Sequence, residues 1–140
     1  MKLQIDETNN ENEIRFVSDE LDRFNESIVG KENHKKLNLV IKNDNNEIIA
    51  GLLGGTYWGW FYVDRLWVHD IFRKQGIGKV LLRNAEELAV KRGCYYSHLD
   101  TMSWQALEFY KKQGYIVLCE IKDIPKGHSK YHLMKNLKLQ

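Results

Sequence analysis

Seven consecutive residues, Arg73-Lys-Gln-Gly-Ile-Gly-Lys79, set two glycines one residue apart with cations on both sides. A strand-like run precedes them and an apolar helical pattern begins directly behind. A turn of this kind suits an anion. The first amides of a helix have no partner inside it and point outward at the positive end of the dipole. Gly76 and Gly78 let the backbone approach a phosphate closely and accept dihedrals closed to other residues. Arg73, Lys74 and Lys79 add charge. Two familiar phosphate motifs do not fit. The P-loop needs Gly-Lys-Ser/Thr, and Gly78-Lys79 is followed by Val80, with Arg at position 73. The dinucleotide fingerprint needs a third glycine where Leu81 stands. Taken alone, Gly-x-Gly is equally a tight loop that starts a helix.

More of the chain follows a pattern. Arg-x-x-Gly-x-Gly at Arg73 to Gly78, the helix and strand behind it, and the sequence ALEFYKKQGY at Ala106 to Tyr115 resemble the two signatures of the GNAT superfamily of acyl-CoA-dependent N-acyltransferases, in particular its small bacterial members. The resemblance runs over roughly the whole chain and is most specific from Asp64 to Tyr115. It implies acetyl-CoA as co-substrate, with the pyrophosphate held at Arg73, Lys74, Gln75, Gly76, Ile77, Gly78 and Lys79. It also implies that the strand Tyr62 to Val68 splays from its neighbour, so that Leu66, Trp67 and Val68 line a slot for the pantetheine arm. Ser103 stands where the second signature often carries Asn, and by resemblance bonds the same arm.

Acyl transfer from a thioester needs a neutral amine, donors for the developing oxyanion, and an acid for the leaving thiolate. No Ser-His-Asp or Cys-His array is evident, so direct attack within a ternary complex is the simpler reading. By resemblance Tyr110 is the acid; alternatively it is a core tyrosine, since Trp104, Leu107 and Tyr110 recur at helical spacing. Asp64 is the candidate base, sharing a strand face with Tyr62 by the period of two, or else a structural carboxylate beside Arg65. Asp100 is a second carboxylate near the site, or caps the next helix with Thr101. His128 lines the acceptor mouth or belongs to a surface loop. His128 and His132 are four apart, but in a loop-to-strand region that lacks the helical spacing a zinc pair wants, so no metal is expected. The acceptor is a small-molecule or protein amine. A non-catalytic acyl-CoA-binding or regulatory protein on the same fold is the rival reading.

The elements that must position these residues read as follows. MKLQI suggests a short strand. Ile14, Val17, Leu21, Phe24 and Ile28 recur at helical spacing, with Gly30 as the stop. Two strands flank the turn Asn-Asp-Asn-Asn, and TYWGWFYVDRLWVHD reads as one long strand. From Gly76 to Arg92 the pattern is helical, with Ile77, Leu81, Ala85 and Leu88 on one face. CYYSHLD is a strand, and SWQALEFYKKQ a helix with Ser103 as N-cap. YIVLCEI and KYHLMKNL are two further strands. The expected fold is a mixed α+β domain over residues 1–140: a strongly bent sheet flanked by helices, with a splayed strand pair.

The whole chain limits the partners. Its 140 residues suit one core, 43% are hydrophobic and 29% charged, and the formal charge is +2. That is no basic footprint for nucleic acid. No apolar run is long enough to span a bilayer and no leader opens the chain, so no membrane association and a cytoplasmic location are expected. Cys94 and Cys119 read as reduced core residues. The aromatic run Tyr57 to Tyr62 offers more surface than a small core absorbs, which motivates the expectation of a homodimer.

Overall fold

Alternating apolar residues and turn chemistry build the sheet. The computed structural model describes residues 1–139, and the chain divides into two compact units, Met1–Glu32 and Asn33–Gln140. In the first unit, residues 1–10 form no strand, against the reading of MKLQI; five residues with no hairpin partner nearby cannot make a ladder. Helix α1 (Glu11–Val29) follows. Asn10 caps it through its side chain, which accepts from the amides of Asn12 and Glu13, and Gly30 ends it.

The second unit holds a six-stranded sheet. β1 (Lys35–Lys42) and β2 (Ile48–Tyr57) form an antiparallel hairpin. Asn43 makes its turn, accepting from the amides of Asn45 and Glu47, and Asn46 takes a positive φ. The long aromatic run is not one strand. Trp58 and Gly59, both at positive φ, turn the chain between β2 and β3 (Trp60–Val68), the geometry of a two-residue hairpin turn. A single Gly among aromatics carried that signal. Helix α2 (Ile77–Lys91), β4 (Tyr96–Met102), the short helix α3 (Leu107–Lys112), β5 (Ile116–Lys122) and β6 (Ser129–Asn136) complete the order β1-β2-β3-β4-β6-β5 across the sheet. Among the described residues, only the β3–β4 pair is parallel.

The core lies on one face of this sheet. Leu37, Ala50, Leu52, Phe61, Val63, Leu99 and Leu133 meet Leu81, Leu82, Ala85 and Ala89 of α2, with Tyr110 and Tyr115. The buried stripe of α2 runs through Leu82 and Ala89, while Leu88, expected on that face, is exposed at its rim. Glu86 is also fully buried, and it is satisfied: Lys135 Nζ lies 2.9 Å from Oε1, and Tyr115 donates to Oε2 at 2.8 Å. Since the Tyr115 proton goes to Glu86, the Ser97 hydroxyl donates to Tyr115 at 2.7 Å. Burial, with the Glu86 charge beside it, pushes the Tyr115 hydroxyl far above its ordinary range.

In the aromatic run Phe61 is fully buried while Trp58 stays exposed, and exposed apolar surface also lies on edge strand β5, at Ile116, Val117, Leu118 and Ile121. Cys94 is buried as expected, but Cys119 is exposed on that same strand. No helix among the described residues is long and apolar enough to cross a membrane.

Candidate active site

The sheet opens between its two parallel strands. β3 and β4 are in register only from Trp60–Tyr96 to Val63–Leu99, yet β3 runs on to Val68 and β4 to Met102. The cause sits on the other side of β3. Leu53 pairs with Arg65 and Gly54 with Val63, so Asp64 is an extra residue, a bulge that bends β3 away from β4. Gly54 is required there, because a Cβ would lie 2.2 Å from the Tyr62 carbonyl oxygen. The bulge also breaks the period of two. Asp64 has no partner on β2, so the regular alternation that would set it on the face of Tyr62 is interrupted at Asp64. The Tyr62 hydroxyl lies 2.7 Å from His34 Nε2. Among the described residues no ion pair joins Asp64 to Arg65, and Asp64 is exposed at the head of the opening.

The direction of the amides along the opening follows from one hydrogen bond. The His69 amide donates to the Ile49 carbonyl, within β2, at 2.8 Å. Amide direction alternates along a strand, so Trp67 and Arg65 also point at β2, and Val68 and Leu66 point into the opening. The Val68 carbonyl agrees: it faces away from β2 and accepts from Arg73 Nε at 3.0 Å. Trp67 presents only an exposed indole, edge-on to His69.

The glycine turn closes one end of the opening. Arg73 braces it, with an ion pair to Asp70 at 2.9 Å besides its bond to Val68. Gln75 reaches back to the Ile71 carbonyl. Lys74 and Gly76 both take positive φ, and Gly76 precedes α2 in a left-handed conformation. α1 has a side-chain cap; the N-terminus of α2 has none, and no acidic residue lies in its first turn. Ile77 packs on the core, and a Cβ on Gly78 would lie 3.5 Å from Phe109 and 3.7 Å from Val68. The first amides of α2, at Ile77, Gly78 and Lys79, have no partner inside the helix, and Lys74 and Lys79 stand close by in sequence.

Helix α3 flanks the opening on the core side. Tyr110 is buried, its ring against Phe109 and Tyr115, and burial pushes its hydroxyl up to about 12. It is thus both a core tyrosine and a group that keeps its proton at neutral pH. Ser103 is not the helix cap. α3 starts four residues later, the Ala106 amide donates to Thr101 Oγ1, and the Ser103 hydroxyl accepts from the Ser129 amide at 3.1 Å. Ser103 lies 3.4 Å from His128 Nδ1, and Trp104 packs edge-on against His128, so residues 123–128 form the wall beside this turn. Thr101 serves α3, but Asp100 does not: its Oδ1 lies 2.5 Å from His132 Nδ1. The sequence reading missed His132 as a partner. The signal was present in the alternation of His98, Asp100 and Met102 against the next strand, but strand order cannot be read from one sequence. Among the described residues no group of three or more His, Cys, Asp and Glu could hold a metal.

The family model for acetyltransferases of the GNAT family matches residues 3–115, so the chain belongs to the GNAT acetyltransferases. It is 37% identical over 115 residues to the acetyltransferase Atu2258 of Agrobacterium fabrum, covering 82% of this chain and 84% of that protein. It is also 37% identical over 95 residues to the blasticidin-S acetyltransferase of Streptomyces morookaense, covering 67% and 70%. A crystal structure of an acetyltransferase from Bacillus cereus superposes with a TM-score of 0.88 at 34% identity, covering 95% of this chain and 97% of that one. The protein is an acetyltransferase on the mixed α+β fold of that family.

Proposed function

We propose that this protein is a cytoplasmic N-acetyltransferase that moves the acetyl group of acetyl-CoA to a primary amine of a small molecule, by direct attack in a ternary complex. One observation carries the reading: the Leu66 and Val68 amides face an opening between parallel strands that ends at the uncapped N-terminus of α2. Unpaired strand amides and helix amides need acceptors, and an elongated ligand with amide carbonyls at one end and phosphates at the other supplies both. The residues present therefore fit acetyl-CoA. When bound, it supplies an activated acetyl group and a thiolate leaving group.

This chain's own residues do the rest. The Leu66 amide, fixed by the bulge at Asp64, is a preorganised donor for a carbonyl oxygen that gains charge. Lys74, Lys79 and the first amides of α2 hold phosphate, with Gln75 and Arg73 setting the shape of the loop. Tyr110 holds a proton at its hydroxyl for the departing sulfur. The blasticidin-S acetyltransferase among the relatives supports a small-molecule acceptor. The exposed apolar residues of edge strand β5 support a homodimer.

Thiol release from acetyl-CoA tests the reading, run with blasticidin S, streptothricin, spermidine and a lysine peptide, with mass analysis of each acceptor. Amine-dependent release with one acetyl group gained is expected. Acetyl-CoA binding with no release for any amine would favour the non-catalytic alternative.

A further inference from the structure

The core side of the opening carries an acid, and the opposite side carries a second pair of titratable groups. Leu99, Thr101 and Leu133 are buried on the core face. By alternation, His98 and Asp100 of β4 and His132 of β6 stand on the other face. Asp100 and His132 are direct partners across the β4–β6 ladder. Asp100 is the first β4 residue beyond the last β3–β4 pair, so this dyad sits at the head of the splay. The two side chains are 46% and 37% exposed, within reach of a ligand.

We propose that His132 is the general base for the acceptor and that Asp100 is its positioning residue; this rests on the acetyl-transfer reading above. Asp100 Oδ1 lies 2.5 Å from His132 Nδ1. A carboxylate there fixes the tautomer with the proton on Nδ1 and the lone pair on Nε2. His98, the nearest competitor for Asp100, is bonded to the Tyr57 hydroxyl at 3.2 Å. Burial holds its imidazole below the ordinary range, against the opposing pull of Asp100. Among the described residues, the charged and titratable groups on this face around His132 include His98 and Asp100 from β4, Tyr57 and Tyr62 beside His98, Cys119 opposite His132 on β5, and Lys130 two residues away on β6. Asp64, across the splay on β3, is the other carboxylate at the opening.

The proton transfer balances simply. The acceptor arrives mostly as an ammonium ion. Nε2 of His132 takes one proton, giving imidazolium and a neutral amine, and later passes that proton to solvent. The nitrogen lone pair forms the C–N bond as the C–S bond breaks. The sulfur takes the proton of Tyr110, and the second proton shed by nitrogen restores it. Net, one amide, one thiol and one proton form. Acid and base then work from opposite faces of the sheet, so the acceptor enters from the side away from the leaving group.

The test uses the full chain and the most active amine of the panel above. The kcat/KM is measured across pH for the wild type, His132→Ala, His132→Gln, Asp100→Asn and Asp64→Asn. Acetyl-CoA affinity and melting temperature are measured for each. Both His132 variants should bind acetyl-CoA normally and lose about 10²-fold or more at low pH. The deficit should close as pH approaches the acceptor's own pKa, because the amine then needs no base. Added imidazole should restore part of the rate of His132→Ala. Asp100→Asn should show a smaller loss with the same pH trend, and any loss in Asp64→Asn should be independent of pH. A His132 deficit constant across pH and unmoved by imidazole would overturn the proposal, as would an unchanged rate. A pH-dependent loss in Asp64→Asn alone would move the base to Asp64. If the wild type acetylates no amine, the acetyl-transfer reading itself fails, and this inference with it.

Discussion

Removing one oxygen from Tyr110 separates its two roles. Tyr110→Phe keeps the ring against Phe109 and Tyr115, at centroid distances of 5.1 and 5.8 Å, so packing changes little. The hydroxyl is held at about 12, against an ordinary 10.0, by burial. At about 1.36 kcal/mol per unit, the neutral form is favoured by roughly 2.7 kcal/mol more than in water. The group therefore keeps its proton at neutral pH, and in the proposed reaction it would give that proton to the leaving thiolate. Its loss should lower kcat about 10²-fold, or about 2.7 kcal/mol in the barrier, while acetyl-CoA affinity and melting temperature hardly move. The contrast is Tyr115→Phe. It leaves buried Glu86 short of a donor and Ser97 short of an acceptor, at roughly 1–3 kcal/mol of stability, with little effect on the chemical step. Pre-steady-state turnover and thermal unfolding, run on both variants, decide the matter. If Tyr110→Phe keeps the wild-type chemical rate, the reasoning is refuted; if it unfolds as Tyr115→Phe does, its hydroxyl is structural.

Other perturbations follow from the same geometry. Gly78→Val should fold, since the new Cβ meets Phe109 at an ordinary 3.5 Å. Its methyls would narrow the gap between α2, Val68 and Phe109, and calorimetry should record a loss of acetyl-CoA affinity of about tenfold or more, roughly 1.4 kcal/mol. Lys135→Met removes the cation 2.9 Å from fully buried Glu86, and denaturant unfolding should register about 3–5 kcal/mol of destabilisation. In alkali, Tyr110 ionises more readily in the unfolded chain, so its contribution is intact below pH 10 and is lost as pH rises toward about 12. Stability should fall over that window, and less steeply in Tyr110→Phe; an equal slope in the two proteins would contradict the buried hydroxyl.

The sequence exposed the parts of this fold that local chemistry dictates. Asn43 to Asn46 specified a hairpin, Gly76 and the stripe behind it specified α2, and the two spaced signatures pointed to the splay. Non-local facts were not legible. Whether Asp64 continues the alternation depends on the register of β2 against β3, and the bulge there follows from Gly54 meeting the Tyr62 carbonyl. Ser103 looked like a cap because hydroxyls cap helices. Thr101, two residues earlier, takes the Ala106 amide instead, and the 123–128 loop recruits Ser103. Asp100 and His132 lie 32 positions apart, and only the order β4-β6-β5 makes them neighbours. Tyr110 was readable both as core and as acid; its burial bears out the first, and the second belongs to the proposed reaction.

The central claim is that acetyl-CoA lies along the opening between β3 and β4, and residue-resolved amide hydrogen exchange tests it most directly. Exchange is recorded by NMR for Arg65, Leu66, Trp67 and Val68, and for Ile77 and Gly78 at the start of α2, without and with saturating acetyl-CoA. Arg65 and Trp67 already point at β2 and should be slow in both states. Leu66 and Val68 should exchange fast alone and slow with the ligand, together with Ile77 and Gly78. Bound acetyl-CoA that leaves Leu66 and Val68 as fast as before would contradict the account, because the ligand would then occupy some other part of the protein.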